Sequence, residues 1–168
     1  MKVDHSDYDE IPVRAKIAAL ARRYGGPALD VGTGGCACMA LTLARHGLQV
    51  TAVDHASSAV RIAQERVAGE LADRVEVRYA DAVRLRSPDS SYRVVVAFDI
   101  LCHTADPAAV LLEMFRVCAG GGVVIVTEEP HPLYSACVLA DYVAGEMPRE
   151  RVFLRCGEDY SRHGIELH

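Results

Sequence analysis

The chain has 168 residues, enough for one domain with a single core but not for a cofactor domain plus a separate substrate domain of ordinary size. A net charge of −5 lacks the basic footprint of a nucleic-acid binder, so DNA and RNA are not expected partners. No apolar run is long enough to span a bilayer and the acidic start Met1–Glu10 is no signal peptide, so a cytoplasmic location is expected.

The six cysteines include no Cys-x-x-Cys pair, and they read as free thiols, not as a zinc site or disulfide framework. Residues 1–11 form an N-terminal arm that either closes over a ligand or stays unordered. Pro12–Tyr24 reads as an amphipathic helix with Val13, Ile17 and Leu20 inward and Arg14, Lys16, Arg22 and Arg23 elsewhere; Gly25-Gly26-Pro27 stops it. Ala28–Val31 is the first strand, and Cys36–His46 the first crossover helix, ended by Gly47. Val50–Val53 is the second strand, followed by a helix capped by Ser57 or Ser58 that runs to about Ala72. Val75–Tyr79 alternates as a third strand, and Arg84–Ser91 is a polar loop. The continuous apolar run Val94–Phe98 suits a central strand buried on both faces.

Asp106-Pro107 is an N-cap followed by proline at the first helical position, and the helix behind it carries Val110, Leu111, Met114, Phe115 and Val117 inward. Gly120–Gly122 turns into a fifth strand, Val123–Thr127. Beyond it, Leu133–Gly145 has a helical pattern, and Val152–Cys156 with Ile165–Leu167 suggests a short antiparallel hairpin. The whole predicts one α/β domain: a doubly wound, mainly parallel sheet flanked by helices.

The segment Ala28–Cys38 is the most informative: an apolar strand, a glycine turn, then a helix. Gly32 and Gly34 let backbone approach a ligand, and the helix start offers N–H groups to an anion. Such turns also occur without ligands. Asp54 ends the next strand, twenty residues after Gly34, where a carboxylate can accept from both hydroxyls of a ribose; capping a helix is its other role. Gly32–Ala37 also satisfies the loose dinucleotide pattern G-x-G-x-x-A, so a nicotinamide oxidoreductase is the competing reading. Asp30 opposes it, because a carboxylate two residues before the turn repels pyrophosphate and attracts a cationic cofactor. S-adenosyl-L-methionine carries an ammonium and a sulfonium.

From about residue 10 to 130 the chain resembles a class I S-adenosylmethionine-dependent methyltransferase of the small-molecule group that includes the ubiquinone and menaquinone enzymes, a Rossmann-like fold. Leu29–Gly34 resembles the first motif and Val50–Asp54 the second, with Asp54 on the ribose. Tyr79–Ala82 resembles the segment whose acid meets the adenine amino group; Tyr92–Phe98 with Leu101-Cys102-His103 resembles the fourth strand and its His-containing loop. Glu113–Gly122 resembles the helix and glycine turn before the fifth strand. The resemblance implies a cofactor site made by Asp30, Gly32, Thr33, Gly34, Asp54, His55, Asp81, Ala82 and Phe98, and methyl transfer to a small-molecule acceptor. The chain departs from the pattern where Cys36 replaces the third loop glycine, Tyr92-Arg93 a Phe-Asp pair, and Ala119-Gly120-Gly121 a Pro-Gly-Gly turn.

Residues 129–168 make a shorter substrate-side segment than such enzymes usually carry; the chain is trimmed, cut short, or completed by a neighbouring subunit, including a second copy of itself. A non-catalytic cofactor-binding subunit is therefore the third reading. His103 is the candidate base, should the acceptor need to lose a proton, with packing in the loop as its alternative; Asp99, Glu128 and His131 also follow strand ends. Cys36 and Cys38 are two apart at a predicted helix start and so are not expected to face each other or to bind a metal jointly, though the helix end could lower the pKa of Cys36.

Overall fold

A computed structural model describes residues 12–69 and 71–127. The elements in chain order are α1 (Pro12–Tyr24), β1 (Pro27–Val31), α2 (Cys38–Arg45), β2 (Gln49–Asp54), α3 (Ser57–Val67), β3 (Val75–Tyr79), β4 (Tyr92–Phe98), a 3-10 turn (Leu101–His103), α4 (Pro107–Val117) and β5 (Cys118–Thr127). The five strands form one parallel sheet in the order β3-β2-β1-β4-β5. The predicted helix and hairpin after residue 128 lie outside the described residues.

Helices cover both faces. Ile17, Ala18 and Ala21 of α1, most of α2, and Val60, Ala63 and Val67 of α3 pack on one face; Val110, Met114 and Val117 of α4 pack on the other. The central strands feel both layers: Val94, Val95 and Val96 are fully buried, each side chain contributing roughly 1.5–3 kcal/mol of apolar burial. That explains the uninterrupted valine run of β4.

Several expectations change. Leu20 is 38% exposed, and the buried stripe of α1 is instead Arg14, Ile17, Ala18 and Ala21, spaced i, i+3, i+4, i+7. Phe115 is 63% exposed: Met114 takes the inward position of that turn, and the other face of α4 turns to solvent. Helix α2 starts at Cys38 because Ala37 adopts a left-handed conformation (φ 47°), leaving Cys36 in the turn. Neither Ser57 nor Ser58 caps α3: its N-cap is Ala56, whose N–H donates to Asp54 Oδ1 (2.8 Å). That helix stops at Val67, just before Gly69. β5 begins directly after α4, and Gly120–Gly122 lie within it as a bulge, since Tyr92 pairs with Cys118 but Val94 with Val123. The Asp106 cap holds: its Oδ1 accepts from the Ala109 N–H (3.0 Å) ahead of Pro107.

Polar groups fasten the loop between β3 and β4 to α4. Arg116 donates to the carbonyls of Leu85 (2.8 Å) and Ser87 (3.0 Å) and pairs with Asp89 and Glu113. Glu113 in turn accepts from the Leu85 N–H (2.8 Å).

Candidate active site

In a parallel sheet all strands end at the same edge, and the order reverses between β1 and β4, where a crevice opens. The ends of β1, β2, β3 and β4 and the segments that follow them therefore gather there, and they hold the predicted cofactor residues and His103.

Backbone bonds tie the glycine turn to β2. The N–H groups of Gly32 and Thr33 both donate to Val53 O (2.8 and 3.0 Å). The Gly34 N–H donates to Asp54 Oδ2 (2.9 Å). One carboxylate thus braces the glycine turn through one oxygen and starts α3 through the other. Each oxygen keeps a spare lone pair, the capacity needed to accept a ribose hydroxyl. Gly32 (φ +76°) has no room for a side chain, since a Cβ would press into Ile100, with Cγ1 only 2.8 Å away. At Gly34 (φ +62°) a Cβ would meet nothing within 4 Å, so the backbone there is open to a ligand.

Asp30 lies one layer below this surface, only 1% exposed. Burial pushes its pKa from 3.8 up to about 7; Thr33, an Ala40 backbone bond and the Arg14 charge oppose that rise, and the Cys36 charge adds to it. Thr33 lies close enough to lower the Asp30 pKa, yet neither Thr33 Oγ1 nor Asp30 Oδ2 has a hydrogen-bond partner of good geometry among the described residues. A buried carboxylate oxygen with no hydrogen-bond partner among the described residues, beneath an open glycine turn, fits a cationic group better than an anionic one.

The remaining candidates are less tightly gathered. His55 is 78% exposed at the side chain, with Nδ1 3.7 Å from Asp54 Oδ1. Asp81 is exposed and folds back on its own turn, accepting from the Val83 N–H (3.1 Å), while Ala82 is half-buried. The Ala80 N–H donates to Asp54 O (3.0 Å), which holds this segment against the end of β2. Phe98 carries the Arg14 guanidinium over its ring (4.9 Å to the centroid). His103 is exposed on the 3-10 turn; its backbone N–H donates to Ile100 O (2.8 Å). Glu128 and His131 lie outside the described residues.

Two features were missed. Arg14 was assigned away from the core, but it is buried beside Phe98 and its charge reaches Asp30, Cys36 and Cys38. Its place in the i, i+3, i+4, i+7 stripe was the available signal. The two cysteines do not share a helix as the sequence suggests, because the left-handed Ala37 leaves Cys36 in the turn while Cys38 opens α2. The Cys38 thiol is the chief cause that pulls Cys36 down to about 5, aided by the Cys38 N–H, Arg14 and Arg66 and opposed by burial; the same pairing pushes Cys38 up.

Residues 29–126 match the family described as Methyltransferase domain, well over half of the chain. The chain belongs to that family. It is a member of the class I S-adenosylmethionine-dependent methyltransferases, and S-adenosylmethionine is the cofactor of the class, which removes the ground for a nicotinamide site. It is 34% identical over 114 residues to a phosphatidylethanolamine N-methyltransferase of Cereibacter sphaeroides, covering 67% of this chain and 55% of that protein. It is 35% identical over 134 residues to a ubiquinone biosynthesis O-methyltransferase of Albidiferax ferrireducens, covering 74% and 51%. Among solved structures, the [4+2]-cyclase SpnF superposes with a TM-score of 0.65 at 30% identity, covering 70% of this chain and 44% of that one. The chain spans about half the length of the curated relatives it matches.

No helix among the described residues is long and apolar enough to cross a membrane, and no group of three or more His, Cys, Asp or Glu side chains among them could hold a metal ion.

Proposed function

We propose that this chain transfers a methyl group from S-adenosylmethionine to a small-molecule acceptor. The observation that carries the reading is the Asp54 bridge: within the family match, one carboxylate links the open Gly34 backbone to the start of α3 at the point where the sheet order reverses. When bound, the cofactor supplies a methyl already activated by its sulfonium. Asp54 would accept from the ribose hydroxyls, and Asp81 and Ala82 would border the adenine. Gly32, Thr33 and Gly34 would present backbone to the methionine portion, with Asp30 attracting its ammonium from below. The protein's part is then alignment and exclusion of water. His103, past the end of β4, would take a proton from the acceptor if its nucleophilic atom carries one. The N- and O-methyltransferases among the relatives suggest a nitrogen or oxygen nucleophile.

Calorimetry with S-adenosylmethionine, S-adenosylhomocysteine and NAD, followed by turnover against amine and phenol acceptors, tests the reading. Binding of both sulfur ligands without NAD is expected, together with product formation. An Asp54→Ala chain is expected to lose affinity about 100-fold, the cost of two ribose bonds to a charged acceptor. NAD binding alone, or unchanged affinity in Asp54→Ala, would sink it.

A second reading rests on the partial span and on SpnF, a cyclase with this fold: the chain binds the cofactor and acts only with a partner chain or without methyl transfer. Tight S-adenosylhomocysteine binding with no methylated product from any acceptor would favour it.

A further inference from the structure

The amino edge of the sheet, opposite the cofactor turn, carries a groove of about 850 Å³. The chain around the ends of α1 and α2 and the first residues of β1 and β2 line it, with Pro27 and Gln49 paired in register there. Strand β1, five residues long, puts about 16 Å of extended chain between this groove and the Gly32 turn. Arg22, Arg45 and His46 line the groove, and among the described residues no Asp or Glu does. The chain carries a net charge of −5, so the sign reverses locally. Helix chemistry accounts for each cation singly, since a basic residue in a last turn complements the negative helix end. It does not require two helix ends to deliver their cations to one place, which the packing of α1 and α2 on the same face does. Several carbonyls at those ends, which would repel an anion, are engaged within the chain. Gly25 N–H donates to Ala21 O (3.2 Å), Gly47 N–H to Ala44 O (2.9 Å) and His46 N–H to Thr42 O (3.2 Å). The His46 ring donates from Nδ1 to the Thr42 carbonyl (2.9 Å), so a second proton on Nε2 gives it a donor for a ligand. At Gly25 (φ +62°) and Gly47 (φ +91°) a Cβ would meet nothing within 4 Å, and bare backbone keeps the groove open.

We propose that this groove is an anion site that binds a phosphate group through Arg22, Arg45 and His46. Each guanidinium fork matches two phosphate oxygens, and the imidazolium adds a further donor. The groove is larger than one phosphate needs and falls in the range of small-molecule sites. The phosphate is therefore one end of a larger ligand, either a dissolved phosphorylated compound or a phospholipid headgroup. The site lies on the far edge of the sheet from Asp54 and does not rest on the proposed methyl transfer.

The test is calorimetry of the full chain with pyrophosphate, beside co-sedimentation with phosphatidylglycerol vesicles. Pyrophosphate is expected to bind with a Kd below about 1 mM. Arg22→Gln and Arg45→Gln should each weaken it at least about ten-fold, the loss of a charge-assisted fork, and the double variant should abolish it. Arg23→Gln removes the same charge one residue away, outside the lining, and should stay within about two-fold because exposed charges are screened. All three arginines are exposed, so the variants should fold, and their melting temperatures verify it. Sedimentation with vesicles that the double variant loses would assign the phosphate to a lipid headgroup. Pyrophosphate binding without sedimentation would assign it to a dissolved ligand, and either result upholds the site. Binding of neither probe, or binding that the double variant keeps, would overturn it. An equal loss in Arg23→Gln would overturn it too, since diffuse charge and not a built site would then hold the anion.

Discussion

The two halves of the sheet's carboxyl edge are built differently. After β1 and β2, three backbone N–H groups and one carboxylate lock the turn: Gly32 and Thr33 on Val53 O, and Gly34 on Asp54. After β4, Asp99 is exposed with φ +59°, Ile100 reaches over Gly32, and the chain passes into a short 3-10 turn bearing an exposed His103. The first half is preorganised by main chain, and the second presents side chains. That division suits a constant cofactor beside a variable acceptor, because main-chain hydrogen bonds depend little on side-chain identity while pocket contacts depend on it wholly.

The largest expected effect comes from breaking the ordered half at its tightest point. Gly32→Val puts a branched side chain at φ +76° and into Ile100, so it should destabilise the fold by roughly 3 kcal/mol or more and abolish cofactor binding. Gly34→Ala sharpens the contrast. Its φ is also positive, but its Cβ meets open space, so the fold should lose only about 1–2 kcal/mol while affinity collapses. Thermal unfolding and calorimetry on both chains separate the two. Equal affinity loss with equal destabilisation would mean that Gly34 does not face a ligand.

Asp30 comes next, and its sign is definite. Between pH 3.8 and about 7 the folded chain holds a proton that the unfolded chain has released. Its contribution to stability is therefore fully present below pH 3.8 and is lost as pH rises through about 7, because burying the charge costs the fold. Asp30→Asn should accordingly raise the unfolding temperature at pH 8 and weaken S-adenosylmethionine binding. Wild-type affinity should rise from about pH 6 to about pH 7.5 as the carboxyl ionises beneath the ammonium, and the Asn chain should not show that rise. A flat pH profile in both would detach Asp30 from the cofactor.

Arg116 provides a control remote from the ordered half. It holds the 85–89 loop through two carbonyls and the Asp89 carboxylate, while Glu113 on its own helix steadies the guanidinium. Arg116→Ala should lower the melting temperature yet leave cofactor affinity within about three-fold, because sites without shared partners behave almost independently. A large affinity loss would show that the two regions are coupled.

How far these features were legible depends on their range. The strands, the Asp106 cap and the twenty-residue link between Gly34 and Asp54 follow from local pattern and turn chemistry, and the sequence shows them. Arg14 was misplaced because charge argues for solvent, and only packing against Phe98 reverses that. The helix start moves from Cys36 to Cys38 because Ala37, a residue with no intrinsic preference for a left-handed conformation, adopts one. The early start of β5 was hidden because three successive glycines read as a turn, whereas a bulge against Tyr92 and Val94 absorbs them. Local rules failed where tertiary contacts decide, and two of those three failures border the candidate cofactor turn.

The smallest expected effect falls on His55, and its size is informative. The ring is 78% exposed and 3.7 Å from Asp54, so the pair is a surface contact worth at most about 1 kcal/mol. If affinity comes from the main-chain cradle and the two Asp54 bonds, His55→Ala should weaken S-adenosylmethionine by no more than about five-fold, with little change in melting temperature. A loss as large as that of Asp54→Ala would require the imidazole to cover the cofactor directly. The ordered half would then owe its affinity to a side chain as well as to its backbone, and the contrast with the β4 half would narrow to one of rigidity alone.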